Sequence, residues 1–268
     1  MRGKLGETIR AAMVTDEETH FRLKDDGRCA LLRDDNLCSI QYALGEKALC
    51  NICRDHPRYR VYLPGRTEIG LGLCCEEAAR MLLSQKDKIT LKGGVSSAPP
   101  RETVDLLLFR QKLLDAAQDR SLPAAGRMRK VIALSGADFR RRSKREWSEI
   151  LSSLEPLESQ WEKTTALLRE KADYAAFRTK ALAWETEYEQ LLVYFLLRHL
   201  LADEGRGMKS RAAFAVFSTA ALYSLGAAAW TKTGELSFAD RAELARQWSA
   251  NIEYSDENMR RILNLLAR

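Results

Sequence analysis

"YAAFRTKALAWETEYEQLLVYFLLRHLLA", residues 174–202, is the most apolar helical stretch of the chain and the expected centre of its core. Its length and its run of leucines suit a helix better than a strand bounded by turns. The next stretch, "AAFAVFSTAALYSLGAAAWT" at 212–231, carries no charge over twenty residues, the length a membrane span needs. It is rich in Ala, Ser, Thr and Gly and poor in Leu and Ile, so its tendency to insert is weak. A buried central helix explains it without a further assumption, and no membrane is expected.

Helical signals continue on both sides. "RETVDLLLFRQKLLDAAQ" (101–118) places Val104, Leu107, Leu108, Leu114 and Ala117 near a 3.6-residue period. "WSEILSSLEPLESQWEKTTALLREK" (147–171) continues as helix with a break near Pro156. Ser237 and Ser255 stand as N-caps, and Asp256 and Glu257 suit the first turn after Ser255. Residues 101–268 therefore form a helical domain.

The first third differs in chemistry. All six cysteines, Cys29, Cys38, Cys50, Cys53, Cys74 and Cys75, precede residue 76. Residues 92–100, "KGGVSSAPP", form the expected linker, so residues 1–91 make a separate Cys-rich module. "KDDGRC" and "RDDNLC" are turns that feed a cysteine inward. "RYRVYLPG" (58–65) alternates and then turns at Pro64-Gly65, predicting a short strand. "CEEAARMLLSQ" (75–85) predicts a helix with Glu76 and Glu77 in its first turn. The fold class is mainly α, a small Cys-rich metal-binding N-terminal module followed by a helical C-terminal domain, with no internal repeat expected.

The N-terminus lacks the apolar region of a signal peptide, so a cytoplasmic location with reduced thiols is expected. Thiols in that setting read as ligands or nucleophiles, and the C-x2-C of "CNICRDHPR" (50–58) brings two sulfurs to one side of a tight turn. Metal ligation is the preferred reading, with His56 as a candidate further ligand. Buried free thiols and a redox pair remain the alternatives, the latter weakened by the absence of a βαβ context. The spacing is neither the double CxxC of a zinc ribbon nor the CxxxCxxC of radical chemistry. "GLG" at 70–72 is not a dinucleotide-binding GxGxxG. The net charge of +6 favours an acidic partner. The basic run from Arg120 to Arg145 could contact phosphates, but a solvated face is the commoner use, and nucleic acid is not the expected partner. His199 is expected to be a satisfied histidine at a helix edge.

"GRCALLRDDNLCSIQYALGEKALCNICRDHPR" followed by "EIGLGLCCEEAARMLL" resembles the flagellin lysine-N-methylases, the FliB family. "YEQLLVYFLLRHLL" and "NIEYSDENMRRIL" are similar to that family's central helix and C-terminal segment, so the likeness runs over nearly the whole chain. It implies a protein-lysine N-methyltransferase that uses S-adenosylmethionine on flagellin. It implies Cys29, Cys38, Cys50, Cys53 and Cys75 as ligands, of an iron–sulfur cluster (4Fe–4S) in preference to zinc. Glu189, Tyr194, Glu253 and Tyr254 become candidate catalytic groups for a lysine amine that must react neutral, and the binding residues for S-adenosylmethionine stay unknown. Three departures accompany the likeness. The family's additional N-terminal cysteine cluster is expected upstream of the point where this chain starts, Tyr254 stands in place of a His, and Gln190 in place of an Asn. The alternative from another class is a non-catalytic metal-binding adaptor.

Overall fold

The computed structural model describes residues 3–16, 19–94, 98–138, 142–205 and 207–267. It divides the chain into two compact units, Met1–His56 and Pro57–Arg268.

The first unit contains helix α1 (Lys4–Ala12), an antiparallel pair β1 (Met13–Thr15) and β2 (Thr19–Phe21), and short helices α2 (Ser39–Leu44) and α3 (Asn51–Asp55). Its buried core is small: Ala12, Leu31 and Ile40, with Cys29 and Cys38 packed against them. Between β2 and α2 the chain makes the same turn twice. Leu23 bridges Cys29, and Leu32 bridges Cys38. In each turn an aspartate, Asp26 or Asp35, accepts from the backbone N–H two residues on. Gly27 and Asn36 take positive φ at matching places. "LKDDGRC" and "LRDDNLC" are thus a short structural repeat. The turns are legible in the sequence but their equivalence is not, because one uses Gly and the other Asn for the left-handed position.

The second unit opens with a hairpin, β3 (Arg58–Leu63) and β4 (Arg66–Leu71), closed by Pro64-Gly65. Proline presets φ at the first turn position and Gly65 supplies φ 74° at the second. The strand at 58–63 was legible; its partner was not, because Arg66–Leu71 mixes charged, polar and apolar residues. Helix α4 (Glu76–Ser84) follows, then α5 (Arg101–Ala117), α6 (Ala124–Ser135), α7 (Lys144–Ser152), α8 (Trp161–Ala166), α9 (Tyr174–Ala181), α10 (Glu185–His199), α11 (Met208–Thr233), α12 (Phe238–Trp248) and α13 (Asp256–Leu266). The break expected near Pro156 is present, and the chain is non-helical from Ser153 to Gln160.

One core spans Val61 to Leu266. Val61, Leu63, Leu73, Ala79 and Leu83 belong to it, so the hairpin and α4, which the sequence reading groups with the cysteines, share the core of the helices. Helix α10 is buried from Glu187 to Leu197 and packs on α11, α4, α5 and α6. Helix α11 is long and apolar enough to cross a membrane, but 72% of its most apolar window is buried within the protein. It packs on α6, α10, α12 and α13. The phase of α5 differs from the expected stripe. Val104 and Leu108 are exposed while Thr103 and Arg110 are buried. The cause is Arg110, whose two terminal nitrogens fork onto Glu68 of β4 at 2.6 Å each. A bidentate, desolvated pair of this kind fixes which face turns inward.

Candidate active site

Three of the four carboxyl and hydroxyl groups singled out in the sequence gather in the second unit. Tyr194 and Arg198 lie one turn apart on α10, and Glu253 ends a π-helical turn, Ser249–Glu253, that follows α12. Such a turn inserts an extra residue and re-aims the side chains beyond it; here it delivers Glu253 to a position with no exposed side-chain surface. The Tyr194 hydroxyl donates to Glu253 Oε2 at 2.9 Å. It accepts from Arg198 Nη1 at 2.6 Å and from the Leu73 backbone N–H at 3.3 Å. Arg198 Nε lies 3.4 Å from Glu253 Oε1, which also pairs with His199 Nε2. The guanidinium stands over the rings of Tyr59, at 5.0 Å, and Tyr254, at 4.8 Å.

The electrostatics follow from burial and pairing. Burial opposes the charge of Glu253, but Arg198 and the His199 hydrogen bond outweigh it and hold the carboxyl at about 2. Burial also opposes the charge on Arg198, and Glu253 and Tyr194 more than offset that. Desolvation holds His199 below its ordinary value, so it donates as the neutral imidazole. Burial, reinforced by Glu253, drives the Tyr194 hydroxyl well above its ordinary value. Tyr254 is pushed up to about 12, first by burial and then by its hydrogen bond with Cys74.

These values limit what the groups can do. A carboxylate at about 2 is a poor proton acceptor. The Tyr194 hydroxyl uses its one proton and both lone pairs within the cluster, so none is left for a substrate. The polar groups of Tyr194 and Glu253 are thus engaged with one another and with Arg198, His199 and the Leu73 backbone. Glu189 stands apart: it is buried between Arg120, whose Nε lies at 3.0 Å, and Arg127, whose Nη1 lies at 2.7 Å. Arg120 also donates to the Lys86 carbonyl, and Gln190 donates to the carbonyls of Gln85 and Asp87. Glu189 and Gln190 thus clamp the 85–87 segment. Arg198, His199 and Tyr59 were not among the sequence candidates. The signal for Arg198 was its i+4 spacing from Tyr194, and Tyr59 carried none.

The clamped segment walls a cleft of about 520 Å³. Tyr59, Leu73, Leu82, Leu197 and Tyr194 form its inner part, and Asp87, Lys88 and Lys92 stand at its rim. Its volume suits a small ligand or a side chain with its backbone. Gly70 borders it, and neither Gly70 nor Gly72 forms a cradle. A Cβ at Gly70 would lie 2.4 Å from the Tyr59 ring, and one at Gly72 2.1 Å from the Tyr254 hydroxyl and 2.9 Å from Arg198 Nη1. These glycines admit side chains, leaving no room for a nucleotide-like ligand against their backbone.

The basic run is largely engaged. Arg120 and Arg127 serve Glu189, Lys130 pairs with Asp119, Arg145 with Glu149, and Arg142 donates to the Leu265 carbonyl. Phe139, Arg140 and Arg141 lie outside the described residues.

Cys29, Cys38, Cys50 and Cys53 all belong to the first unit, and Cys74 and Cys75 to the second. The repeated turns end at Cys29 and Cys38, and Cys50 precedes α3 as its N-cap. The Cys53 backbone N–H is the main cause holding Cys50 below its ordinary value. Burial pushes Cys53 up to about 11, and Cys50, Cys29 and Cys38 add to it. Among the described residues no three His, Cys, Asp or Glu side chains converge at ligation geometry. An all-sulfur set suits zinc or an iron–sulfur cluster by chemistry. Cys75 directly precedes α4 in the other unit.

Residues 105–268 match the FliB lysine N-methylase C-terminal domain. Over 89 residues the chain is 32% identical to the lysine-N-methylases of Salmonella typhimurium and Salmonella choleraesuis, covering 33% of this chain and 22% of each relative. It is 34% identical over 65 residues to the flagellar biosynthetic protein FliU of Salmonella muenchen, covering 24% of this chain and 38% of that protein. The aligned stretch therefore spans under a quarter of the length of the first two relatives. No solved structure matches the chain. With more than half of its length matched, the chain belongs to the FliB lysine N-methylase family.

Proposed function

We propose that the protein is a protein-lysine N-methyltransferase that modifies flagellin, with the target lysine reacting in the cleft beside Tyr59 and Tyr194. The observation that carries this reading is a methylase-family domain over 105–268 whose central helix forms the inner wall of an apolar cleft. S-adenosylmethionine is the methyl donor that family membership implies, and it supplies an activated methyl group.

The chain's own work is on the amine. A free lysine ammonium has a pKa near ~10.4, and only the neutral amine attacks carbon. Leucine and tyrosine walls disfavour the charged form, and Lys88 and Lys92 at the rim disfavour it further. The proton leaves to water at the open rim, which dispenses with a buried base. Tyr194 and Arg198, locked by Glu253, hold the inner end of the cleft rigid, which would restrict the directions from which the amine approaches. With the donor bound, the neutral amine would form a C–N bond as the donor's C–S bond breaks. Cys29, Cys38, Cys50 and Cys53 are proposed to hold an iron–sulfur cluster or zinc that organises the first unit.

The test incubates anaerobically purified protein with labelled S-adenosylmethionine and flagellin. Label on lysine is the expected result; none, with the metal content intact, removes the enzyme reading. A second reading, a non-catalytic metal-binding adaptor, gains support from the internal engagement of Glu189, Tyr194 and Glu253. Stable metal content without calorimetric binding of S-adenosylmethionine favours it.

A further inference from the structure

Beside the cleft, β4 offers a strand edge. The described strands form two separate two-stranded sheets, and β4 pairs only with β3. In an antiparallel ladder, hydrogen-bonded pairs alternate with pairs whose backbone groups point away from the partner. The Gly72 N–H bonds the Pro57 carbonyl at 2.7 Å, which sets the parity. Gly70, Glu68 and Arg66 then bond inward to β3, and Thr67, Ile69 and Leu71 turn their N–H and C=O groups to the outer edge. The same three side chains share one face, where Ile69 is 58% and Leu71 40% exposed. The cleft runs along this edge and meets a second cavity of about 510 Å³ through Ile69, Leu91 and Lys92. The opposing wall, residues 85–92 beyond the end of α4, has no strand pairing and is fixed from behind by Arg120 and Gln190.

We propose that the outer edge of β4 binds the lysine-bearing segment of the protein substrate as an added antiparallel or parallel strand, which lays its lysine into the cleft towards Tyr59 and Tyr194. This rests on the methylase reading and specifies how that substrate is held. Three observations select an extended peptide as occupant. The two adjoining cavities together border the whole of β4, about 20 Å for six residues, longer than a single side chain needs. The exposed Ile69 and Leu71 form the alternating apolar row that a strand's own side chains cover. The inner end is apolar and its rim carries two lysines against one aspartate, which suits an alkyl stem ending in a neutral amine. Main-chain pairing supplies affinity with little sequence demand, so lysines in different contexts are accepted.

The test uses the full chain and a fluorescent peptide of about ten residues, alternating valine and threonine around one lysine. Hydrogen exchange should slow at the amides of Thr67, Ile69 and Leu71 on peptide addition. Methylating alternate peptide amides in one register should weaken binding about tenfold or more, and in the other register leave it unchanged. Ile69→Glu should weaken binding while leaving the far-ultraviolet spectrum intact. No binding, equal affinity for both methylated registers, or bound peptide with unchanged β4 exchange overturns the proposal. A dimer of the free chain that protects these amides assigns the edge to a second copy and also overturns it. Lysine labelling without β4 protection sinks the docking mode and spares the methylase reading; β4 protection without labelling does the reverse.

Discussion

Glu253 ties three side chains of α10 to the turn that follows α12. It is fully covered, and Tyr194, Arg198 and His199 all turn to it. Replacing it by Gln leaves Arg198 buried without its counter-charge, which should cost about 3–5 kcal/mol in urea unfolding. Its acid dependence has a defined sign. A carboxyl that falls from 4.5 to about 2 on folding contributes stability that is complete above 4.5 and drains away as pH falls towards 2. The unfolding midpoint of Glu253→Gln should therefore be flatter than that of the parent between those values. Gly72 makes a second point at this scale. Gly72→Ala should push the Tyr254 hydroxyl aside and cost about 1–3 kcal/mol, most of it recovered in a Tyr254→Phe background. A double-mutant cycle with coupling below about 0.5 kcal/mol would show that the two do not meet.

At the scale of elements, the stretch 249–258 joins three parts of the fold. Asn251 accepts from the Leu157 and Glu158 N–H groups, and Asn258 exchanges two hydrogen bonds with the backbone of Glu155. The non-helical segment around Pro156 is thereby sewn to the start of α13. Asn258→Ala should cost about 2–3 kcal/mol, because the Glu155 N–H and carbonyl and the Asn251 carbonyl lose their partner together. Thermal unfolding checks this. The helices themselves were legible: 101–118 and the caps Ser237 and Ser255 follow from period and side-chain chemistry, and both serines accept as caps. What lay beyond the sequence were pairings between distant segments. Nothing near Glu68 announces Arg110, and nothing near Glu189 announces Arg120, so Val104 and Leu108 read as inward beside Leu107, Leu114 and Ala117, and Glu189 read as a companion of Tyr194. The π-helical turn was hidden for a related reason: it is chosen by what Glu253 and Asn251 reach, not by local propensity.

For the molecule as a whole, the two units differ in what sustains them. Pro57–Arg268 has one large apolar core, whereas Met1–His56 buries little beyond Ala12, Leu31 and Ile40. If the proposed metal site is present, its binding free energy would add to the folding of this unit. Chelation, or oxidation of a bound cluster, should expose residues 1–56 to limited proteolysis while 57–268 stays resistant, as mass spectrometry of the fragments will read. Equal susceptibility of both units would exclude a metal-dependent first unit. The six cysteines made the chemical contrast between the two ends of the chain visible in the sequence. The allegiance of residues 57–91 was not, because it is decided by which core Val61, Leu63 and Leu83 enter.

Helix α11 has a consequence for how the chain is made. It is uncharged from Ala212 to Thr231 and is covered partly by α6 and α10, which precede it, and partly by α12 and α13, which come after it. Chains leave the ribosome in order at ~5–20 residues per second. For the seconds between the emergence of α11 and that of the last two helices, a membrane-length apolar surface is bare on one side. During that interval the face of α11 that α12 and α13 cover in the folded chain is open to any other apolar surface.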